Sequence, residues 1–205
     1  WSAFTGAKHS IAVTSCTTAL HLSLAALGFG PGDEAIVPAF TWVATANVVV
    51  YCGATPVFAD VNRTTFNIDP ARVGALVTPR TRAVIAVHLF GLCADMDALR
   101  AVLPAGLPII EDAACASGAS YKGVPAGGLG HAAAFSFHPR KSITTGEGGM
   151  LTTASADLDR AFRSLRAAGI SPSTPSCIRP MISICFTSSS AILRNTPVPW
   201  TAAMR

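Results

Sequence analysis

The chain has 205 residues, of which 50% are hydrophobic and 13% are charged. Such a sequence is long enough for one buried core and too apolar for an intrinsically disordered protein. The net charge of +4 comes from scattered basic residues and the apolar runs are short, so we expect neither a nucleic-acid nor a membrane partner.

Apolar runs alternate with helical patterns along most of the chain. Strands are predicted over 10–14, 35–37, 56–59, 82–88, 107–110, 132–137 and 150–153. Helices are predicted over 17–27, 43–51 with Thr41 as cap, from Asp69-Pro70 onward, 95–102 with Asp95 first, and 156–168. This order predicts an α/β fold with a mostly parallel sheet and helices on both faces.

The last part of the chain differs in composition from the rest. Residues 170–205 are rich in Ser, Pro and Thr and contain no acidic residue, so we predict an irregular tail. The six cysteines show no CxxC pair or zinc spacing, and no signal peptide is recognisable at the start. These features favour a reducing, cytoplasmic compartment.

Two charged residues follow predicted strands, where ligands bind in open α/β sheets. Lys141 lies in a Gly-rich loop just beyond a strand, a place suited to a lysine that forms a Schiff base, although a solvated loop lysine is the common alternative. Asp112 ends a buried strand, where a carboxylate needs a partner such as a protonated pyridine nitrogen. The alternative for Asp112 is a helix N-cap.

Hydroxyl and aromatic residues also lie at strand ends. The segment from Thr14 to Thr18 enters a helix, and the amides at a helix N-terminus together with hydroxyls suit a phosphate group, unless they form an ordinary Ser/Thr cap. Ser136 could add another hydroxyl. Trp42 could stack on a planar ring, although a tryptophan of the core is the usual interpretation.

Five sequence blocks, in order, resemble the pyridoxal-phosphate (PLP)-dependent sugar aminotransferases of the DegT/DnrJ/StrS type. They are GAKHSIAVTSCTTALHLSLAALG, GDEAIVPAFTWVATANVVVYCGATPVFADV, VHLFGLCADMD, PIIEDAACASGA and FSFHPRKSITTGEGGML. The resemblance runs through residues 4–169, so we expect a PLP-binding large domain over 1–169.

The resemblance implies a fold-type I homodimer and a role for each matching residue. Lys141 would form the Schiff base and carry protons, Asp112 would pair with the pyridine nitrogen, and Trp42 would stack on the ring. The phosphate would be held by Thr17, the Thr18 backbone and Ser136. The implied reaction moves an amino group from glutamate or glutamine to a keto sugar, often a nucleotide-linked one; some relatives are dehydratases with His in place of the lysine.

The sequence departs from the family pattern at three positions and in length. The family usually has Gly at the position of Cys16, Gln at Cys115 touching the ring hydroxyl, and His at Ser117. Members are roughly twice as long and have a small C-terminal domain, which we expect to be missing here. A frameshifted or truncated reading frame is a hypothesis that would account for the tail.

Three alternatives stay open from the sequence. The chain could be an inactive remnant of such an enzyme, or it could catalyse another PLP reaction such as dehydration or cysteine desulfuration. A plain nucleotide-binding domain is disfavoured, because no G-x-G-x-x-G or G-x-x-x-x-G-K-[ST] motif follows the first strand.

Overall fold

The computed structural model describes residues 1–167 of the protein. The strands are β1 (His9–Val13), β2 (Glu34–Pro38), β3 (Thr55–Ala59), β4 (Thr81–Val87), β5 (Ile109–Asp112), β6 (Ser120–Tyr121), β7 (Val124–Pro125), β8 (Ala132–Ser136) and β9 (Gly149–Thr153). The α-helices are α1 (Ser2–Thr5), α2 (Cys16–Ala26), α3 (Ala44–Tyr51), α4 (Pro70–Val73), α5 (Met96–Val102) and α6 (Ala156–Arg166). The predicted tail lies outside the described residues.

Seven strands form one sheet in the order β1-β9-β8-β5-β4-β2-β3, and β6 pairs with β7 in a separate hairpin. Strand β9 runs antiparallel to both β1 and β8, whereas the pairs from β8 to β3 are all parallel. The strands of the centre are almost completely buried because helices cover both faces. The predicted α/β architecture is confirmed.

The two faces have separate cores. On one face, side chains of α2, α3 and α6 such as Leu20, Val48 and Phe162 pack against alternate strand residues. On the other, Val73 of α4 and Leu99 of α5 pack against the intervening strand residues. Successive residues of each strand point to opposite faces of the sheet, so each strand contributes side chains to both cores.

Two predicted helix caps are confirmed and one is wrong. Asp69 accepts the N–H of Ala71 at the start of α4, and Asp95 accepts the N–H of Ala98 at the start of α5. Thr41 does not cap α3, because that helix begins only at Ala44, too far along the chain for the Thr41 hydroxyl to reach a free amide.

Gly149 brings the start of β9 against the entry to α2. A Cβ atom at Gly149 would lie 2.5 Å from the Ser15 carbonyl carbon and 2.8 Å from the Cys16 nitrogen. Only glycine allows this close approach of two main chains. The turn that leads into α2 is therefore fixed by a contact between segments far apart in the sequence.

We expect Gly149→Ala to destabilise the chain by about 1–3 kcal/mol, since the new methyl group has to displace main-chain atoms. Gly30→Ala is the matched control, because a Cβ there meets nothing within 4 Å. Urea unfolding monitored by circular dichroism measures both variants. Equal midpoints for the two variants would contradict the steric explanation.

Candidate active site

A cleft of about 510 Å³ opens beyond the carboxyl ends of β2, β4, β5 and β8. Most of the predicted site residues line it, namely Thr17, Trp42, Asp112, Cys115, Ser136 and Lys141. Its size falls within the usual range for small-molecule sites. A second cleft of about 560 Å³, at the amino-terminal ends of β5 and β8, contains none of these residues.

Asp112 is a buried carboxylate, 5% exposed, at the last position of β5. Oδ2 accepts the Thr45 hydroxyl at 2.9 Å, and Oδ1 accepts the Ala114 N–H at 3.2 Å. Burial raises the pKa of Asp112, and these two hydrogen bonds act in the opposite direction. The element that follows Asp112 is the short strand β6 and not a helix, so the N-cap alternative is wrong.

No lysine, arginine or histidine of residues 1–167 forms an ion pair with Asp112. A buried acid without a cation is costly, because its charged form has lost its water and its hydrogen bonds supply no counter-charge. A small cationic group would supply that charge, and a protonated ring nitrogen fits the requirement.

Cys16 is the first residue of α2 and lies against the same carboxylate. Its thiol points to Asp112 Oδ1 at 3.8 Å. Burial, followed by the charge of Asp112, raises the pKa of Cys16 well above its usual range. Cys16 is therefore a neutral thiol that closes one side of the Asp112 pocket.

Lys141 is half-buried at the edge of the cleft, and its Nζ donates to Cys115 Sγ at 3.1 Å. The Lys141 N–H donates to the His138 carbonyl at 2.9 Å, which closes a turn just beyond β8. The lysine is thus held by a main-chain turn and directed towards a thiol of the same cleft. Its role as the Schiff-base lysine stays a prediction.

The helix entry at residues 14–18 has a capping hydrogen bond. Ser15 is the N-cap of α2, and its hydroxyl oxygen accepts the N–H of Thr18 at 3.1 Å. Thr17 lines the cleft, but Thr18 does not, and its hydroxyl contacts that of Thr14 at 2.9 Å. Ser136, buried at the end of β8, faces the same cleft.

Aromatic side chains form the rim of the cleft. Trp42 is 72% exposed, so the interpretation as a core tryptophan is wrong. Phe90 is 75% exposed and has a φ of 55°, a conformation that costs energy for a non-glycine residue. The buried Asn67 side chain holds this turn, accepting the Leu89 N–H at 3.0 Å and donating to the Leu92 carbonyl at 2.9 Å.

Three polar groups of the site were missed by the sequence reasoning. Thr45, which bonds Asp112, shares a hydroxyl contact of 2.9 Å with Thr41, and a Thr pair spaced by four could have indicated it. His88 and Glu111, both fully buried, form a pair at the floor of the cleft, where His88 is one of the lining residues. Glu111 beside Asp112 and His88 at the end of a predicted strand were both visible in the sequence, but nothing there indicated that they form a pair.

The described part of the chain shows no cluster of three or more potential metal ligands. Cys16, Cys52, Cys93 and Cys115 are free thiols. None of the helices within residues 1–167 is both long and apolar enough to cross a bilayer.

Comparison with known proteins identifies the class of protein that this fold and cleft define. Residues 1–181 match the DegT/DnrJ/EryC1/StrS aminotransferase family. The chain belongs to that family, and the resemblance found in the sequence is confirmed.

Individual members of the family are similar to this chain in sequence and in structure. The chain is 54% identical over 170 residues to GDP-perosamine synthase of Caulobacter vibrioides, covering 82% of this chain and 46% of the relative. An aminotransferase structure from Psychrobacter cryohalolentis has a TM-score of 0.81 and 38% identity, over 97% of this chain and 46% of that one. The PLP form of Spr1654 from Streptococcus pneumoniae gives 0.78 and 34%, over 85% and 50%. The chain spans about half the length of these proteins.

We expect Asp112→Asn to stabilise the cofactor-free chain at neutral pH by about 1 kcal/mol, because the amide removes a buried unpaired charge. Since burial raises the pKa of Asp112 above its ordinary value of 3.8, the native state binds the proton more tightly than the unfolded state. The stability of the wild type therefore falls as the pH rises from that ordinary value through the folded pKa, and the advantage of the variant grows over this window. Melting temperatures of both proteins from pH 3 to pH 8, at roughly one-unit steps, measure it. A difference that is constant with pH would contradict the assignment of an unpaired charge.

Proposed function

We propose that the chain forms the PLP-binding large domain of an aminotransferase that moves an amino group from glutamate or glutamine to a nucleotide-linked keto sugar. The observation that carries this proposal is that one cleft contains both a lysine and a buried acid that forms no ion pair. PLP has a ring nitrogen for the acid and an aldehyde for the lysine, and it supplies the electron sink that amino-group transfer needs. Membership of the aminotransferase family supports it.

The predicted residues can divide the parts of PLP between them. Asp112 would hold the ring nitrogen, and Trp42 would cover one face of the ring. Thr17 and Ser136 would hold the phosphate, helped by the Thr18 amide if the Ser15 cap gives way. The N-terminus of α2 adds its dipole, which favours an anion there.

Lys141 has two tasks in this proposal. Its Nζ would hold the cofactor covalently, and, once free, it would move a proton at the substrate carbon that carries the amino group. The turn closed by His138 holds the main chain of Lys141 at the cleft. Because the dehydratases of the resembled family have His in place of the lysine, Lys141 favours amino transfer over dehydration.

Cys115 stands where the family usually has a glutamine that touches the ring hydroxyl. Its thiol lies 3.1 Å from Lys141 Nζ, so it would face the same edge of the ring as the lysine. A thiol is a weaker hydrogen-bond donor than an amide. We therefore infer a cofactor whose ring oxygen is less firmly held here than in relatives that have glutamine.

Residues at the rim of the cleft support the binding of an anionic substrate and the formation of a homodimer. The Arg140 side chain lines the cleft and is exposed, a position suited to the carboxylate of the amino donor or a phosphate of the sugar nucleotide. The exposed aromatic side chains Phe40, Trp42 and Phe90 supply apolar area for a second copy of the chain, as a homodimer requires. A cytoplasmic location stays a prediction.

We expect the purified chain to bind PLP and to gain a visible absorbance that borohydride converts into a stable modification of Lys141. Lys141→Ala should abolish the trapped product, whereas Lys122→Ala is the matched control, since Lys122 pairs with Asp97 away from the cleft. Peptide mass mapping identifies the modified residue. Trapping on another lysine, or an unchanged spectrum in Lys141→Ala, would refute the assignment; failure of the wild type to bind PLP would favour an inactive remnant.

We also expect PLP to slow alkylation of Cys115 by about tenfold or more, because the cofactor would occupy the cleft that exposes this thiol. Cys52 is the internal control: it is half-buried at the C-terminal end of α3, outside the cleft lining, and burial raises its pKa to about 11. Iodoacetamide labelling followed by mass spectrometry of each cysteine peptide gives both rates. Equal rates for Cys115 with and without PLP would place the cofactor elsewhere.

A further inference from the structure

Beneath the cleft, Glu111 of β5 is a fully buried carboxylate that no step of the proposed reaction uses. Oε2 accepts Nε2–H of His88 at 3.0 Å and the Gly127 N–H at 2.8 Å. Oε1 accepts the N–H groups of Leu129 at 2.8 Å and Gly130 at 2.5 Å. Four donors therefore meet the two oxygens, which is the full capacity of an ionised carboxylate.

The hydrogen bonds define the protonation of this pair. A protonated Glu111 would turn an O–H towards one of the four donors, so the carboxylate form is required. His88 Nδ1 accepts the Ala94 N–H at 3.1 Å, which places the proton on Nε2. The imidazole is thus neutral, with one tautomer selected by its two partners.

This pair is connected to Asp112 through the main chain. Glu111 directly precedes Asp112, and the His88 N–H donates to the Asp112 carbonyl at 3.0 Å. The turn at residues 127–130 is anchored by Glu111 and also by the Thr152 hydroxyl, which donates to the Gly127 carbonyl at 2.9 Å. A Cβ at Gly130 would lie 2.5 Å from the Ile109 carbonyl oxygen, so the turn is pressed against β5.

The geometry points to Glu111 and His88 as positioning residues that fix the Asp112 carboxylate for the ring nitrogen of the cofactor. They hold the end of β5 from the opposite face of the sheet and leave the side chain of Asp112 free of any cation. A displacement of about 1 Å at such a group can cost on the order of a hundredfold in function. The inference rests on the proposed function, since it assigns a role towards PLP.

Glu111→Gln tests the pair with almost no change in volume. The amide nitrogen of the glutamine would face N–H donors at whichever oxygen position it takes, so one side of the network would lose its acceptor. His88→Leu removes the imidazole, and His88→Gln restores an N–H donor near the position of Nε2. Glu34→Gln is the matched control, because Glu34 is also a buried strand carboxylate but pairs with Arg80 and Thr78 at the other end of the sheet.

We expect Glu111→Gln and His88→Leu to raise the dissociation constant of PLP by about tenfold or more, with His88→Gln recovering most of the loss. The pH midpoint of the visible absorbance of the bound cofactor should move in the same direction as in Asp112→Asn. Glu34→Gln should lower the melting temperature without changing either readout. The full 205-residue chain is titrated with PLP at temperatures where each variant is folded.

Lower melting temperatures with an unchanged dissociation constant and midpoint would overturn the inference, because the pair would then be structural only. If Glu111→Gln does not fold, the comparison of His88→Leu with His88→Gln decides. A wild-type chain that binds no PLP would instead refute the proposed function, and this outcome is distinguishable because it needs no variant.

Discussion

The cleft depends on the parallel pairing of β4, β5 and β8. In this register Val87 lies beside Asp112, and Asp112 lies beside Ala134, so the three strands end at nearly the same level. Parallel hydrogen bonding leaves these ends open, and the chain continues from each into a loop or turn. The residues just beyond the strands therefore lie close together because of the strand register, and contacts between their side chains are not needed to position them. The close main-chain contact at Gly149, on the antiparallel strand β9, places the start of α2 beside these strand ends.

The sequence predicts this arrangement well where the signal is local. Apolar runs indicated the strands, and the caps Asp69 and Asp95 followed from residue type and position. The location of Lys141 and Asp112 at strand ends was enough to predict that they share a cleft, because strand ends in a parallel sheet lie on one side. Their chemical roles came from the family resemblance and stay predictions.

What the sequence did not predict depends on contacts between distant segments. Glu111 takes its partners from residues 16 to 23 positions away, and each partner except His88 is a main-chain N–H with no sequence signature. Thr41 has the residue type of a cap, but α3 begins later in the chain. The hydrogen bond of Thr45 to Asp112 likewise joins distant segments and was not predicted. Such errors arise because residue type shows what a side chain can do, while the partner is chosen by the folded chain.

The outer strand β3 contains a proline whose position has a consequence for self-association. The Thr55 N–H donates inward to the Asp33 carbonyl, so the next residue, Pro56, faces the free edge of the described sheet. Proline has no N–H there, and a further strand cannot form a complete ladder along that edge. The edge is thus protected against the strand-by-strand growth that leads to aggregates. The proposed homodimer would therefore use side-chain surfaces such as the aromatic rim, where shape complementarity rather than backbone pairing determines the partner.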